Sequence, residues 1–248
     1  MLEGHISKAY DGALAAAHLR LLEMGGLVLQ QVRDAGSAYT RWDAHLAQRI
    51  ILGERAVSEY DVSIAAQLRS LIARRQPVAS DLRALMAFSH ASAELDLAAA
   101  EARKIARTVL QELDPPSRGT TADVRHLAGL AANLLRHALE ALDHIDGEAA
   151  GGVLASEREL DAEYAAGLRR LVTRALDASQ RLDGAIATAF ALKSFENIGE
   201  HARRLAGYVR AIVNFDDASD GDRLVVAAST DPSPAATQPP AAADPGRL

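Results

Sequence analysis

Two stretches at a constant offset of 100 residues decide the fold: Ser92–Ala106, SAELDLAAAEARKIA, and Leu192–Ala206, LKSFENIGEHARRLA. In register, Leu95 falls on Phe195, Asp96 on Glu196, Ala102 on Ala202, Arg103 on Arg203 and Ile105 on Leu205. The apolar positions recur at three- and four-residue intervals, the spacing of one helix face. A helix repeated with its pattern intact implies a duplicated module, and duplication explains the match better than chance among Ala-rich helices.

Working outward from the repeat, the first half predicts three long helices. Leu14, Leu21, Val28 and Val32 follow helical spacing, and Met24-Gly25-Gly26 interrupts that segment with small residues where a neighbouring helix could approach closely. Thr40 as cap with Asp43 in the first turn predicts the second helix, running to about Ala73. Arg74-Arg75-Gln76-Pro77 ends it, with cations in the last turn and a proline beyond. Val78-Ala79-Ser80-Asp81 opens the third helix, which Asp114-Pro115-Pro116 breaks. The cycle then repeats. Thr120-Thr121-Ala122-Asp123 opens a fourth helix to about Ile145, and a corner at Gly147, Gly151 and Gly152 leads to a fifth. A turn near Asp177-Ala178-Ser179 leads to a sixth. Gly53-Glu54-Arg55 in the second helix matches Ser156-Glu157-Arg158 in the fifth. The expected fold is all-α, two tandem three-helix bundles over residues 1–115 and 116–216. Residues 217–248 are expected to form a disordered Pro/Ala-rich tail, because TDPSPAATQPPAAADPGRL offers little apolar volume to bury.

Composition narrows the function classes. The chain has 248 residues, 49% hydrophobic but only 4% aromatic, which suits helix packing better than pleated sheets. A net charge of −6, with basic residues dispersed among acids, argues against a nucleic-acid partner. Without cysteine there are no disulfides and no thiolate ligands, so a metal must use carboxylate, His or water. The N-terminus lacks a leader pattern, and no run approaches the ~18 consecutive apolar residues of a membrane span, so the expected location is cytoplasmic. There is no phosphate loop, no Gly-x-Ser-x-Gly elbow and no His-Glu-x-x-His helix, and neither Asp96 nor Glu196 is followed by a di-iron histidine three residues on. No catalytic residue is expected, and the chain reads as a binding protein.

Glu196 and Glu200, four apart, share one helix face roughly opposite Ile198, Leu205, Val209 and Ile212. The residues alone leave two readings open, a carboxylate clasp for a hard cation or a solvated face screened by Arg203. His201 lies about 140° from Glu196, towards the apolar edge, and reads as a partly buried histidine. Glu94, Glu101, Glu157, Glu159 and Glu163 read as charged surface, with a minority supplying oxygens between helices.

Three stretches carry a resemblance: Met24-Gly25-Gly26 with Gln30-Gln31, then RQPVASDLR from Arg75 to Arg83, then Glu94-Leu95-Asp96 with Phe195-Glu196-Asn197-Ile198-Gly199-Glu200. In these the chain resembles the PhoU family, bacterial phosphate-transport accessory proteins built from two three-helix bundles, over roughly its first 215 residues. The resemblance implies a regulator that restrains phosphate uptake and the phosphate-starvation response. Its implied partners are the sensor histidine kinase and the ATPase subunit of the phosphate ABC transporter, with membrane contact only through them and with homodimerisation. In some members an acid, three residues and an aspartate, once per bundle, hold iron or other divalent ions. Here that implies Glu196 and Glu200 as metal ligands, and Asp96 more weakly, since Ala100 stands where the first bundle's second acid would be. The partner-contact candidates are Arg75, Gln76, Pro77, Ser80, Asp81 and Arg83. The alternative is a metal-binding or scaffold protein unrelated to phosphate.

Overall fold

The computed structural model describes residues 2–75, 79–111, 116–176 and 182–213. Among them are six helices and no strand: α1 (Leu2–Arg41), α2 (Ala44–Arg75), α3 (Ala79–Gln111), α4 (Arg118–His144), α5 (Gly147–Leu176) and α6 (Leu182–Val213). The expected tail and the Asp177-Ala178-Ser179 turn lie outside the described residues.

Local chemistry sets the boundaries. Asp43, not Thr40, caps α2: its Oδ1 accepts from Leu46 N at 3.0 Å, while the Thr40 hydroxyl donates back to Ser37 O at 3.3 Å. The link before it is short because Trp42 adopts the left-handed conformation, φ 54°, and packs edge-on against Tyr39. Ser117, three residues earlier than expected, caps α4, its Oγ accepting from Thr120 N at 3.4 Å, and Thr120 itself is buried. The corner after α4 needs no glycine. Ile145 takes the left-handed conformation, φ 49°, and Asp146 caps α5 by accepting from Glu148 N and Ala149 N at 2.9 and 3.1 Å. Gly147, Gly151 and Gly152 lie inside α5.

Met24-Gly25-Gly26 does not interrupt α1, which runs through it. Gly25 is a contact notch, since a Cβ there would collide with Leu139 of α4, and one at Gly36 would sit 2.8 Å from the Ala128 Cβ. Helices α1, α2 and α3 pack on one another, as do α4, α5 and α6, and the two bundles join through α1 against α4 and α3 against α6. All six belong to one compact unit. Its core runs through Leu21, Met24, Val28 and Val32 of α1, Leu95 and Ile105 of α3, and Phe195, Ile198 and Leu205 of α6. Residues Tyr10–Arg41 are long and apolar enough to cross a membrane by length and composition, a match reached by averaging and not by an unbroken apolar run. In the structure the apolar stripe of that helix is covered by α2, α3 and α4.

Candidate functional site

The α3/α6 seam gathers most of the buried polar chemistry. Glu94 is 7% and Glu101 6% exposed, so these two are not charged surface but the minority of the five acids that supply oxygens between helices. The face of α3 that carries them is covered by the second bundle. Glu94 meets His201 Nδ1 at 2.7 Å, receives the Tyr208 hydroxyl at 3.5 Å and lies 3.9 Å from Arg204. His201 is partly buried, in line with its sequence reading, and here it answers a carboxylate. His90 stacks on the Tyr208 ring at 5.1 Å. Burial, followed by the Glu94 charge, pushes the Tyr208 hydroxyl above its ordinary range, Arg204 opposing in part. Glu101 Oε1 accepts from Lys104 at 2.7 Å and from Asn197 at 3.2 Å, while its Oε2 is buried without a hydrogen-bond partner. Removing two carboxylates from water in this way is tolerated only because cations and donors converge on them.

Glu196 and Glu200 occupy the neighbouring side of α6, half-buried. Both are committed to cations of their own helix. Lys193 Nζ pairs with Glu196, and Glu200 takes Arg203 in a two-point grip at 2.6 and 3.0 Å plus Arg204 at 3.0 Å. Burial pulls Lys193 down, but Glu196, with Tyr164 and Asp161, outweighs it and holds the ammonium above its ordinary value. Lys193 also lies over the Tyr164 ring at 5.5 Å.

The equivalent corner in the first bundle is built differently. Asp96 on α3 faces Asp61 on α2, with Ser58 bonding Asp96 and the Ser92 hydroxyl donating to Asp61 at 2.6 Å. Burial and then the Asp61 charge raise the Asp96 carboxyl above its ordinary range, and the Ser58 bond only partly opposes them. Sequence reasoning missed Asp61 and its counterpart Asp161. Extending the offset of 100 into DVSIAAQLRSL and DAEYAAGLRRL would have found both.

A metal cluster of the kind the resemblance implies does not fit the described residues. The Glu196 and Glu200 oxygens already carry ammonium and guanidinium partners, Asp96 has one acidic neighbour, and no group of three His, Asp or Glu converges. Of the corner candidates, Asp81 and Arg83 are half-buried on the first turns of α3. Gln76 and Pro77, and the side chains of Arg75 and Ser80, lie outside the described residues, as does the side chain of Glu157. Glu159 is exposed and Glu163 half-buried, 3.8 Å from both His126 and Arg170.

The family model described as PhoU domain matches twice, over residues 21–109 and 124–209. A phosphate-specific transport system accessory protein PhoU homolog of Pseudomonas putida is 34% identical over 218 residues, covering 87% of this chain and 85% of that protein. The phosphate-specific transport system accessory protein PhoU of Escherichia coli strain K12 is 30% identical over 216 residues, covering 87% and 90%. The crystal structure of PhoU from Pseudomonas aeruginosa superposes with a TM-score of 0.79 at 32% identity, over 83% of this chain and 99% of that one. The phosphate transport system regulatory protein PhoU from Streptococcus pneumoniae, 19% identical with a TM-score of 0.76, shares the fold.

Proposed function

This chain belongs to the PhoU family, and from that premise we propose that it serves as an accessory protein of a phosphate-specific transport system. In this reading it restrains phosphate uptake and keeps the phosphate-starvation two-component response quiet when phosphate is plentiful. It does so by contact with the transporter's ATPase subunit and the sensor histidine kinase. The observation that carries the reading is that both repeats match the family, and that the chain spans 85% and 90% of the length of two accessory proteins.

The surface chemistry suits a contact protein. Val172 and Leu176 near the end of α5, and Ile186 and Phe190 near the start of α6, are large apolar side chains 47–79% exposed. Each pair is four residues apart and so shares one side of its helix. Apolar groups left in water at a helix-hairpin tip favour burial against a partner. Asp81, Arg83 and the exposed Leu82 and Met86 stand at the equivalent tip of the first bundle.

The test is genetic. Deleting the gene is expected to raise a phosphate-regulon reporter in phosphate-replete cells, and Phe190→Asp, which adds a charge to an exposed position, is expected to do the same without lowering protein level. An unchanged reporter in the deletion strain would discard the regulatory reading.

A further inference from the structure

Between them, α1 and α4 enclose an open groove of about 560 Å³. Its charged lining is entirely basic: Arg33 and Arg41 from α1 and Arg125 from α4, with Ser37 and Asn133 offering a hydroxyl and an amide between them, while the Thr40 hydroxyl is turned back to Ser37 O. The acids nearest in sequence are engaged elsewhere. Asp34 accepts from Gln30 at 2.9 Å, Asp43 caps α2, and Asp123 is held by Arg170 and Arg174 at 2.8 and 2.7 Å. Among the described residues no ion pair is formed by Arg33, Arg41 or Arg125, although most basic side chains around the α3/α6 seam and the α5/α6 corner are matched to carboxylates. Three unmatched guanidiniums in one groove of a chain with net charge −6 repel one another, and that repulsion falls when an anion enters.

The floor explains how an anion could come close. Gly36 and Ala128 meet across the groove so tightly that a Cβ on Gly36 would lie 2.8 Å from the Ala128 Cβ, and Gly129 and Ala132 continue the small-residue floor. Small side chains there leave the polar rim standing above an open trough. Arg33 and Arg41 are two turns apart on α1, about 12 Å along its axis. A single tetrahedral anion spans little of that length, whereas linked phosphoryl groups place an oxyanion at each successive step. Guanidinium forks grip phosphate oxygens at two points, and hydroxyl and amide N–H groups complete the set. A peptide segment would bring backbone N–H donors, for which this lining offers few acceptors.

We propose that the α1/α4 groove binds a linear chain of phosphoryl groups, inorganic polyphosphate or the phosphate tail of a nucleotide, through Arg33, Arg41 and Arg125. This does not rest on the regulatory reading, because binding is measured on the purified chain and the reporter experiment leaves it untouched.

The experiment is calorimetric titration of the full chain with inorganic tripolyphosphate, ATP, orthophosphate and poly-glutamate at two salt concentrations. Tripolyphosphate should bind saturably, more tightly than orthophosphate or poly-glutamate, and more weakly at the higher salt. Removing a charged hydrogen-bond partner is expected to weaken binding about tenfold or more per arginine, so Arg33→Ala/Arg125→Ala should lose about 100-fold. Arg33→Lys/Arg125→Lys, which keeps the charge but loses the fork, should fall between. Arg55→Ala, at an exposed residue paired with Glu59 on α2, is the control and should bind as the parent chain does. Equal affinity for ATP and tripolyphosphate assigns the site to the phosphate chain alone, and tighter ATP binding assigns it to a nucleotide. Circular dichroism melting confirms that the variants fold. The proposal is overturned by the absence of saturable tripolyphosphate binding at millimolar concentration, by unchanged affinity in the double alanine variant, or by poly-glutamate or orthophosphate binding as tightly.

Discussion

The two carboxylate corners occupy equivalent places in a duplicated chain, yet they keep charge in different ways. At the α2/α3 corner Asp96 faces Asp61, and among the described residues the groups bonded to them are the hydroxyls of Ser58 and Ser92. At the α5/α6 corner Glu196 and Glu200 face Lys193, Arg203 and Arg204. Arg103 and Arg203 hold the same repeat position, but the first reaches across to Glu54 on α2 and the second grips Glu200 on its own helix. Duplication therefore preserved the helices and their buried stripe while the polar side diverged. A backbone tolerates many polar pairings on one face, but its core tolerates few changes of volume.

The largest expected effect tests what the repeats share. Phe195 is fully buried beneath α1, and its repeat partner Leu95 is 1% exposed. Phe195→Ala should cost about 3–5 kcal/mol and Leu95→Ala about 2–5 kcal/mol in urea unfolding, each lowering the stability of one cooperative unit. Two separate unfolding transitions, only one of them moved, would break the picture of bundles fused through α1/α4 and α3/α6.

A smaller effect separates the corners. Because burial and Asp61 raise the folded Asp96 value above the ordinary 3.8, the folded state holds that proton more tightly than the unfolded chain. The contribution is fully present below 3.8 and is lost as pH rises through the raised value. Asp96→Asn should therefore raise the melting temperature at neutral pH and flatten its fall across that window, by a few tenths of a kcal/mol after solvent screening. Lys193→Met should do the reverse at the other corner, lowering stability at neutral pH by a similar few tenths, since it takes the ammonium away from Glu196 and Asp161. Matching shifts of one sign in both variants would erase the distinction between the corners.

The smallest expected effect is none. Elemental analysis of chain purified without chelator should give the same metal content for the parent and for Glu196→Ala/Glu200→Ala, because cations of the chain itself already hold those oxygens. Stoichiometric metal lost in the variant would restore the clasp reading.

What could be read from the chain was whatever a single helix decides for itself. Stripe spacing placed Leu21, Val28, Ile198 and Leu205 inside, and the angle from Glu196 put His201 at the edge of the apolar side, where it lies. Caps were harder to place, since Thr40 and Asp43, or Thr120 and Ser117, are chemically alike as N-caps, and the choice turned on left-handed Trp42 and on the burial of Thr120. Nothing in the sequence separates Glu94 and Glu101 from the surface acids, because helical angle gives a side chain's direction relative to its own stripe, not what stands on the far side.

Six amphipathic helices in two copies were legible along the chain, because periodicity and repetition are local and need no partner to be seen. Which polar faces stay wet was settled by how the helices dock. Docking α3 on α6 removed Glu94, Glu101 and His201 from water and paired them, while docking α1 on α4 left Arg33, Arg41 and Arg125 around an open groove. The physical reason is that a charge's cost and its use depend on what lies within a few ångströms in space, and contacts between residues a hundred positions apart are fixed by packing alone.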